Sequence, residues 1–221
     1  MLNIFYKFNS CELFAAYLKN ILMKNLLLLL VLIPGFLSAQ LHGIEINTAI
    51  PSPDVKMHSI NGTDYSLNDL VQENGLLVIF TSNTCPFVKV WELEYPELYK
   101  LASDNKIGMV LINSNEKFRG TTESLSEMKK IAKEFNYEMI PQLVDVNSKL
   151  AGEFDANTTP HVFLFNGDSK LAFRGSIDDR YENPEKNITK KYLKSAILSL
   201  SKGELPEINT SRNFGCSIKR K

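Results

Sequence analysis

Leu76-Leu77-Val78-Ile79-Phe80-Thr81-Ser82-Asn83-Thr84-Cys85-Pro86-Phe87-Val88 is the stretch from which the fold can be read. Five apolar residues with β-favouring side chains end in a short polar turn, followed by a cysteine and a proline. A run of that length without polar alternation fits a strand buried on both faces. Pro86 fits the first turn of a helix, where its fixed φ helps and its missing N–H is no loss. Val88, Trp91, Tyr95, Leu98 and Ala102 then recur at spacings of three and four, which predicts one helix with one face on a sheet. Cys85 is thereby placed where a strand hands over to a helix. Unpaired N–H groups and the positive end of the helix dipole favour a thiolate there, and Lys89 stands one turn on. The alternative is a buried cysteine acting as a small apolar residue. The polar Ser82, Asn83 and Thr84 around the turn weigh against it.

Composition bounds the rest. The chain has 221 residues, 25 basic and 25 acidic side chains, and 44% apolar residues, which suits a globular protein with one good core. Balanced charge and the lack of a basic patch interleaved with aromatics exclude nucleic acid as a partner. No C-x-x-C, no Cys/His spacing for zinc and no nucleotide-binding glycine loop is present, so neither a metal nor a cofactor is expected.

Residues 23 to 40 carry the parts of a secretory signal: a lysine, an apolar core, a breaker and then small residues. The uninterrupted apolar run falls short of the roughly 20 residues that a membrane span needs. Residues 1–39 are therefore read as a leader, cleaved after Ala39, with Met23 as an alternative start. Membrane contact is expected only through that leader, if it stays uncleaved. Residues 40–202 form the domain, and 203–221 a C-terminal tail. Export, to the periplasm or outside the cell, leaves Cys85 and Cys216 where disulfides persist.

Within the domain, Ile46 to Leu70 reads as an opening hairpin, with Val55 and Met57 alternating and Asn61-Gly62 supplying the turn. Asn74-Gly75 introduces the first buried strand. Ile107 to Ile112 is a second buried run, joined to it by a parallel crossover. Ser124-x-x-Glu127 reads as a capping box that opens a helix with Leu125, Met128, Ile131, Ala132 and Phe135 on one face. Gln142 to Asp145 reads as a short strand and Leu150 to Phe154 as a helical turn. Thr158-Thr159-Pro160 precedes a strand over Val162 to Phe165, and Asn166-Gly167-Asp168 turns the chain into Lys170 to Arg174. His161 reads as a structural strand histidine. Ile177-Asp178-Asp179-Arg180 reads as a solvated charged turn, with a substrate rim as the alternative. A last helix runs from Thr189 to Leu200 and ends at Gly203.

Phe80 to Val88 resembles the active-site segment of thioredoxin-like proteins, especially the exported kind that reads Phe-x-x-x-x-Cys-Pro-x-Cys. It is also similar to the peroxiredoxin segment Pro-x-x-x-Thr/Ser-x-x-Cys-Pro. Val88 stands where thioredoxins carry a second cysteine, Ile79 where they carry a buried aspartate, and Val78 where peroxiredoxins carry a proline. A third subgroup of redoxin-like proteins reads Cys-Asn-His-Cys-Pro-Tyr-Val and ends in Gly-Cys-x-Ile-Lys. Here Ser82 replaces its first cysteine and Thr84 its histidine, while Gly215 to Lys219 matches its ending. The resemblance spans about Ile44 to Lys219. It implies an α/β thioredoxin-like fold, a central mixed sheet flanked by helices, here with an added N-terminal β-hairpin.

The resemblance also implies the chemistry. Cys85 is the attacking sulfur, and Ser82, Thr84, Pro86, Thr159 and Pro160 line the substrate, with a cis bond before Pro160 facing Cys85. Attack on a disulfide or a peroxide leaves a mixed disulfide or a sulfenic acid, which a second thiol must resolve. Val88 cannot serve, so the resolving thiol is Cys216 or an external reductant. The reading is a thiol–disulfide oxidoreductase acting on a protein or small-molecule disulfide. Its alternatives are a thiol peroxidase, with Ser82 as hydrogen-bonding neighbour of Cys85, and a binding module without turnover. For Cys216 the choice lies between the resolving thiol and a buried structural residue beside Phe214 and Ile218.

Overall fold

A computed structural model describes Lys19 and residues 42–182, 185 and 187–221. The leader expected over residues 1–39 falls, except for Lys19, outside the described residues. Leu41–Lys221 forms one compact unit that includes the tail. No helix among the described residues is long and apolar enough to cross a membrane.

A hairpin comes first, β1 (Met57–His58) pairing antiparallel with β2 (Asp64–Tyr65). The central sheet contains β3 (Gly75–Thr81), β4 (Ile107–Asn113), β5 (Gln142–Val144), β7 (His161–Asn166) and β8 (Leu171–Gly175). Its order is β5-β4-β3-β7-β8. Strands β3, β4 and β5 run parallel, whereas β7 and β8 run antiparallel to their neighbours, so the sheet is mixed. Two residues form β6 (Thr158–Thr159), which pairs outside that sheet with β9 (Cys216–Ser217).

Gly75 opens β3 at φ 128°, and a Cβ there would lie 1.8 Å from the Phe165 carbonyl oxygen of the paired strand. Side chains alternate across the sheet with period two. Leu77, Ile79, Val162 and Leu164 enter one core layer, while Leu76, Val78, Phe80, Phe163 and Phe165 enter the other. Each such side chain taken out of water contributes about 1.5–3 kcal/mol.

The first layer is closed by α1 (Pro86–Trp91), α2 (Tyr95–Asp104), α3 (Leu125–Glu134) and α5 (Tyr192–Leu200), the second by α4 (Lys149–Glu153). Ser124 caps α3 as expected, its Oγ accepting the Glu127 N–H at 3.3 Å.

Two expectations need correction. The single helix predicted after Cys85 is two, α1 and α2, joined by a tight turn over Glu92–Glu94. Pro96, in the first turn of α2, has no N–H to give the Glu92 carbonyl, so a continuous helix cannot form there. Glu92 itself turns inward, accepting Tyr137 Oη at 2.6 Å and Lys89 Nζ at 2.8 Å. The apolar face survives the break: Val88, Trp91, Tyr95, Leu98 and Ala102 are all buried. The last helix begins at Tyr192 rather than Thr189, whose N–H donates to Asp179 Oδ1 at 2.9 Å instead.

Candidate functional site

Cys85 caps the N-terminus of α1 with extended backbone (φ −75°, ψ 119°), and its carbonyl accepts the Lys89 N–H at 3.1 Å. Pro86 occupies the first turn, as its fixed φ allows. The thiol is only 2% exposed and donates to the Thr159 carbonyl at 3.0 Å. Thr159 and Pro160 are buried beside it, and the bond between them is cis.

The turn before Cys85 is organised by a residue the sequence did not single out. Glu123 is fully buried, and its carboxylate accepts four hydrogen bonds: Ser82 Oγ at 2.7 Å, Thr84 Oγ1 at 2.8 Å, the Asn83 N–H at 2.9 Å and Asn113 Nδ2 at 2.6 Å. A carboxylate satisfied in this way holds the loop rigidly, since losing any one donor leaves an ionised group poorly solvated. Arg119 supplies charge nearby, donating to the carbonyls of Glu123 and Asn113 at 2.6 Å each. Ser82 is therefore buried with its hydroxyl committed to Glu123, whereas Thr84 and Pro86 are exposed at the mouth of the turn. Lys89 engages Glu92 and lies 5.0 Å from the Phe135 ring centroid.

The tail returns to this point. In β9, Cys216 faces Thr159 and Ser217 faces Thr158. The Ile218 N–H donates to the Asn157 carbonyl at 2.9 Å, and Ile218 is buried. Asn115 Oδ1 accepts the Lys219 N–H at 2.9 Å, and the Lys219 carbonyl accepts the Lys117 N–H at 2.9 Å. Arg220 donates to the Ala156 carbonyl at 2.7 Å, and Asn213 Nδ2 donates to Thr158 Oγ1. Gly215 allows the approach: a Cβ there would lie 2.2 Å from the Thr159 carbonyl oxygen.

Cys216 thus comes to lie against Cys85, and both are free thiols. Burial first, then the adjacent Cys85 sulfur, push the Cys216 thiol up to about 11. The Phe87 N–H, at the start of α1, bonds to the Cys216 sulfur and pulls the other way. Both sulfurs therefore sit at the same helix N-terminus. The backbone of Thr158 and Thr159 beside Cys85 is thus paired with the chain's own tail.

A family model described as the AhpC/TSA family matches residues 48–174, more than half of the chain. This chain belongs to the AhpC/TSA family. Among solved structures, an uncharacterized conserved protein from Geobacillus kaustophilus is 28% identical, with a TM-score of 0.74 over 81% of this chain and 95% of its own. A hypothetical protein from Sinorhizobium meliloti 1021 is 25% identical, with a TM-score of 0.73 over 82% and 99%. The peroxidoxin BcpB from Mycobacterium tuberculosis is 13% identical at a TM-score of 0.51 over 74% and 98%, a likeness of fold. No curated protein matches. The AhpC/TSA protein is thus a thioredoxin-like redoxin whose sheet, helices and N-terminal hairpin follow the expected plan.

His161 is fully buried in β7 with neither ring nitrogen hydrogen-bonded, stacked on Phe163 at 4.4 Å. Burial, then the neighbouring Arg174, lower its pKa to about 3. The Ile177–Arg180 segment is not a solvated turn. Asp178 and Asp179 are buried, Asp178 accepting Trp91 Nε1 and Arg180 Nε at 2.9 Å each. Among the described residues, no group of three or more His, Cys, Asp or Glu side chains is arranged to hold a metal ion.

Proposed function

We propose that this redoxin is a thiol–disulfide oxidoreductase whose redox couple is Cys85 with Cys216. The observation that carries the reading is the docking of Cys216 opposite Thr159, beside the helix-capping Cys85. In a thioredoxin-like fold with valine at position 88, a tail cysteine supplies the second sulfur that thiol–disulfide exchange requires.

Burial and the adjacent sulfur raise the pKa of the Cys216 thiol, which makes Cys216 the poorer attacking and leaving group, and Cys85 is assigned that part. Reduction of an outside disulfide converts both thiols into one Cys85–Cys216 bond and passes two electrons outward. An external thiol reductant reverses the step.

Disulfide chemistry is favoured over peroxide chemistry by the hydrogen bonds of the turn. Ser82 and Thr84 both give their hydroxyl protons to Glu123. Arg119 and Arg180 are committed to Glu123, Asn113, Asp178 and Glu94. A peroxide at Cys85 would have to be polarised by other donors.

The division into a leader over 1–39, a domain over 40–202 and a tail over 203–221 belongs to this proposal. So does export through the leader, which supplies an environment where such a bond forms.

The test is a comparison of oxidants on the reduced protein. A small aromatic disulfide should consume both thiols together and yield the internal bond, and hydrogen peroxide should react no faster than with free cysteine. A sulfenic acid at Cys85 that forms with peroxide before any disulfide exchange would overturn the proposal in favour of a peroxidase.

A further inference from the structure

Resting on that reading, we infer that the couple exchanges electrons with a low-molecular-weight thiol–disulfide pair, and that the exchange enters at Cys216 rather than at Cys85. Three observations carry this.

Extended polypeptides reach a sulfur in such a groove by adding a strand to an exposed edge. Here that edge is already paired: Thr158 and Thr159 face Ser217 and Cys216, and the pairing continues through the Ile218 N–H to Asn157. The tail is tied down at both ends, by Asn213 before Cys216 and by Ile218, Lys219 and Arg220 after it. A substrate chain would have to displace all of these contacts together.

The two sulfurs also differ in access. Cys85 is 2% exposed, beneath the tail, whereas Cys216 is half-buried. An outside molecule therefore meets Cys216 first.

A cleft of about 540 Å³, a size suited to a small ligand, is lined by Phe214, two residues before Cys216 in the tail. Its walls include Tyr181, Phe214, Lys190, Arg212 and Glu182. Tyr181 joins it to the site, its ring 4.8 Å from Phe87 of α1 and 6.2 Å from Phe214. Arg212 and Lys190 outnumber the single carboxylate, which suits a small disulfide bearing carboxylates.

The steps balance as follows. A small thiolate attacks the Cys216 sulfur of the oxidised protein, the Cys85–Cys216 bond breaks, and its electron pair leaves on Cys85. The product is a mixed disulfide on Cys216 and a thiolate on Cys85, the sulfur at the helix cap. A second small thiolate attacks the small-molecule sulfur of that mixed disulfide, releasing the small disulfide and Cys216, which takes up a proton. Two electrons pass from two small thiols to the protein, and the reverse sequence oxidises the protein with the small disulfide. The high pKa of Cys216 suits this direction of attack, because Cys85 and not Cys216 is the sulfur displaced first.

The experiment uses the full chain, reduced and oxidised glutathione and insulin as probes, and mass spectrometry to locate adducts. Reduced glutathione added to the oxidised protein and quenched with acid should be found on Cys216 at least about ten times as often as on Cys85. The wild-type dithiol should be oxidised by glutathione disulfide far faster than by insulin. Glutathione found equally or more often on Cys85, or insulin reduction at a rate matching glutathione disulfide, would overturn the inference.

Diamide, a small azo oxidant that accepts the two electrons and two protons of the dithiol, separates the two levels of the account. If diamide links Cys85 to Cys216 and glutathione disulfide does not, the substrate class fails and the couple stands. If diamide leaves them unlinked, the couple itself fails.

Discussion

Thr159 joins the two halves of the site: its carbonyl oxygen accepts the Cys85 thiol at 3.0 Å, while its backbone faces Cys216 across the β6–β9 pair. One residue thus fixes both sulfurs, although Cys85 comes from the N-terminus of a helix and Cys216 from the end of the chain. Whatever loosens the tail from Thr159 should uncouple the pair without unfolding the sheet.

Gly215→Val tests that coupling. A side chain at 215 collides with the Thr159 carbonyl, so the tail must shift. Overpacking of this kind costs about 1–3 kcal/mol, spent on local release of the tail. Oxidant-driven formation of the Cys85–Cys216 bond, followed by thiol titration, should slow at least about tenfold, since a disulfide needs its Cα atoms within roughly 7 Å. The far-UV spectrum should be unchanged.

Glu123→Gln removes one acceptor from a carboxylate with four donors and turns an amide N–H₂ toward at least one of them. We expect a loss of about 1–3 kcal/mol in urea unfolding at unchanged m. The reaction of Cys85 should slow as well, because the turn that leads into it is no longer fixed. A variant as stable and as reactive as the parent would remove Glu123 from the account.

These two positions also show what the sequence could reveal. Buried runs such as Leu76–Phe80 and Ile107–Ile112, and the Ser124 cap, announce themselves through period and local chemistry, and the sheet follows from them. The break between α1 and α2 was hidden because the apolar spacing runs through it unaltered, while Pro96 acts only on the backbone. Glu123 was hidden for another reason: it lies 41 residues from Ser82, and a lone acid before a helix reads as surface. The matching Gly-Cys-x-Ile-Lys ending marked Cys216 as a candidate. Its docking depends on the missing side chain of Gly215 and on single hydrogen bonds such as Lys219 to Asn115, which leave no periodic trace.

Asp178→Ala should be costly. Asp178 is buried and pairs with Arg180 and with the Trp91 indole, and Arg180 lies 5.0 Å from the Trp91 ring. Removing one partner of a buried pair costs about 3–5 kcal/mol. The same cluster braces the end of α1, so chemical denaturation should show a lower midpoint than the parent.

His161 predicts an acid-sensitive fold. Its folded pKa is lowered to about 3 from 6.5, so between those values the unfolded chain binds more protons. Stability therefore rises with pH across that window, and is lost as pH falls from 6.5 toward 3, by on the order of 1.4 kcal/mol per unit. Urea unfolding at a series of pH values should give a slope that His161→Phe reduces by up to one proton. An unchanged slope would show that His161 is already protonated in the fold.

The most direct test of the central claim is differential alkylation of the purified protein, with and without reductant, followed by peptide mapping. The account predicts that the peptides bearing Cys85 and Cys216 are joined within one chain in the oxidised protein and both alkylated after reduction. Both cysteines alkylated in the fully oxidised protein, or linked only between separate chains, would contradict it.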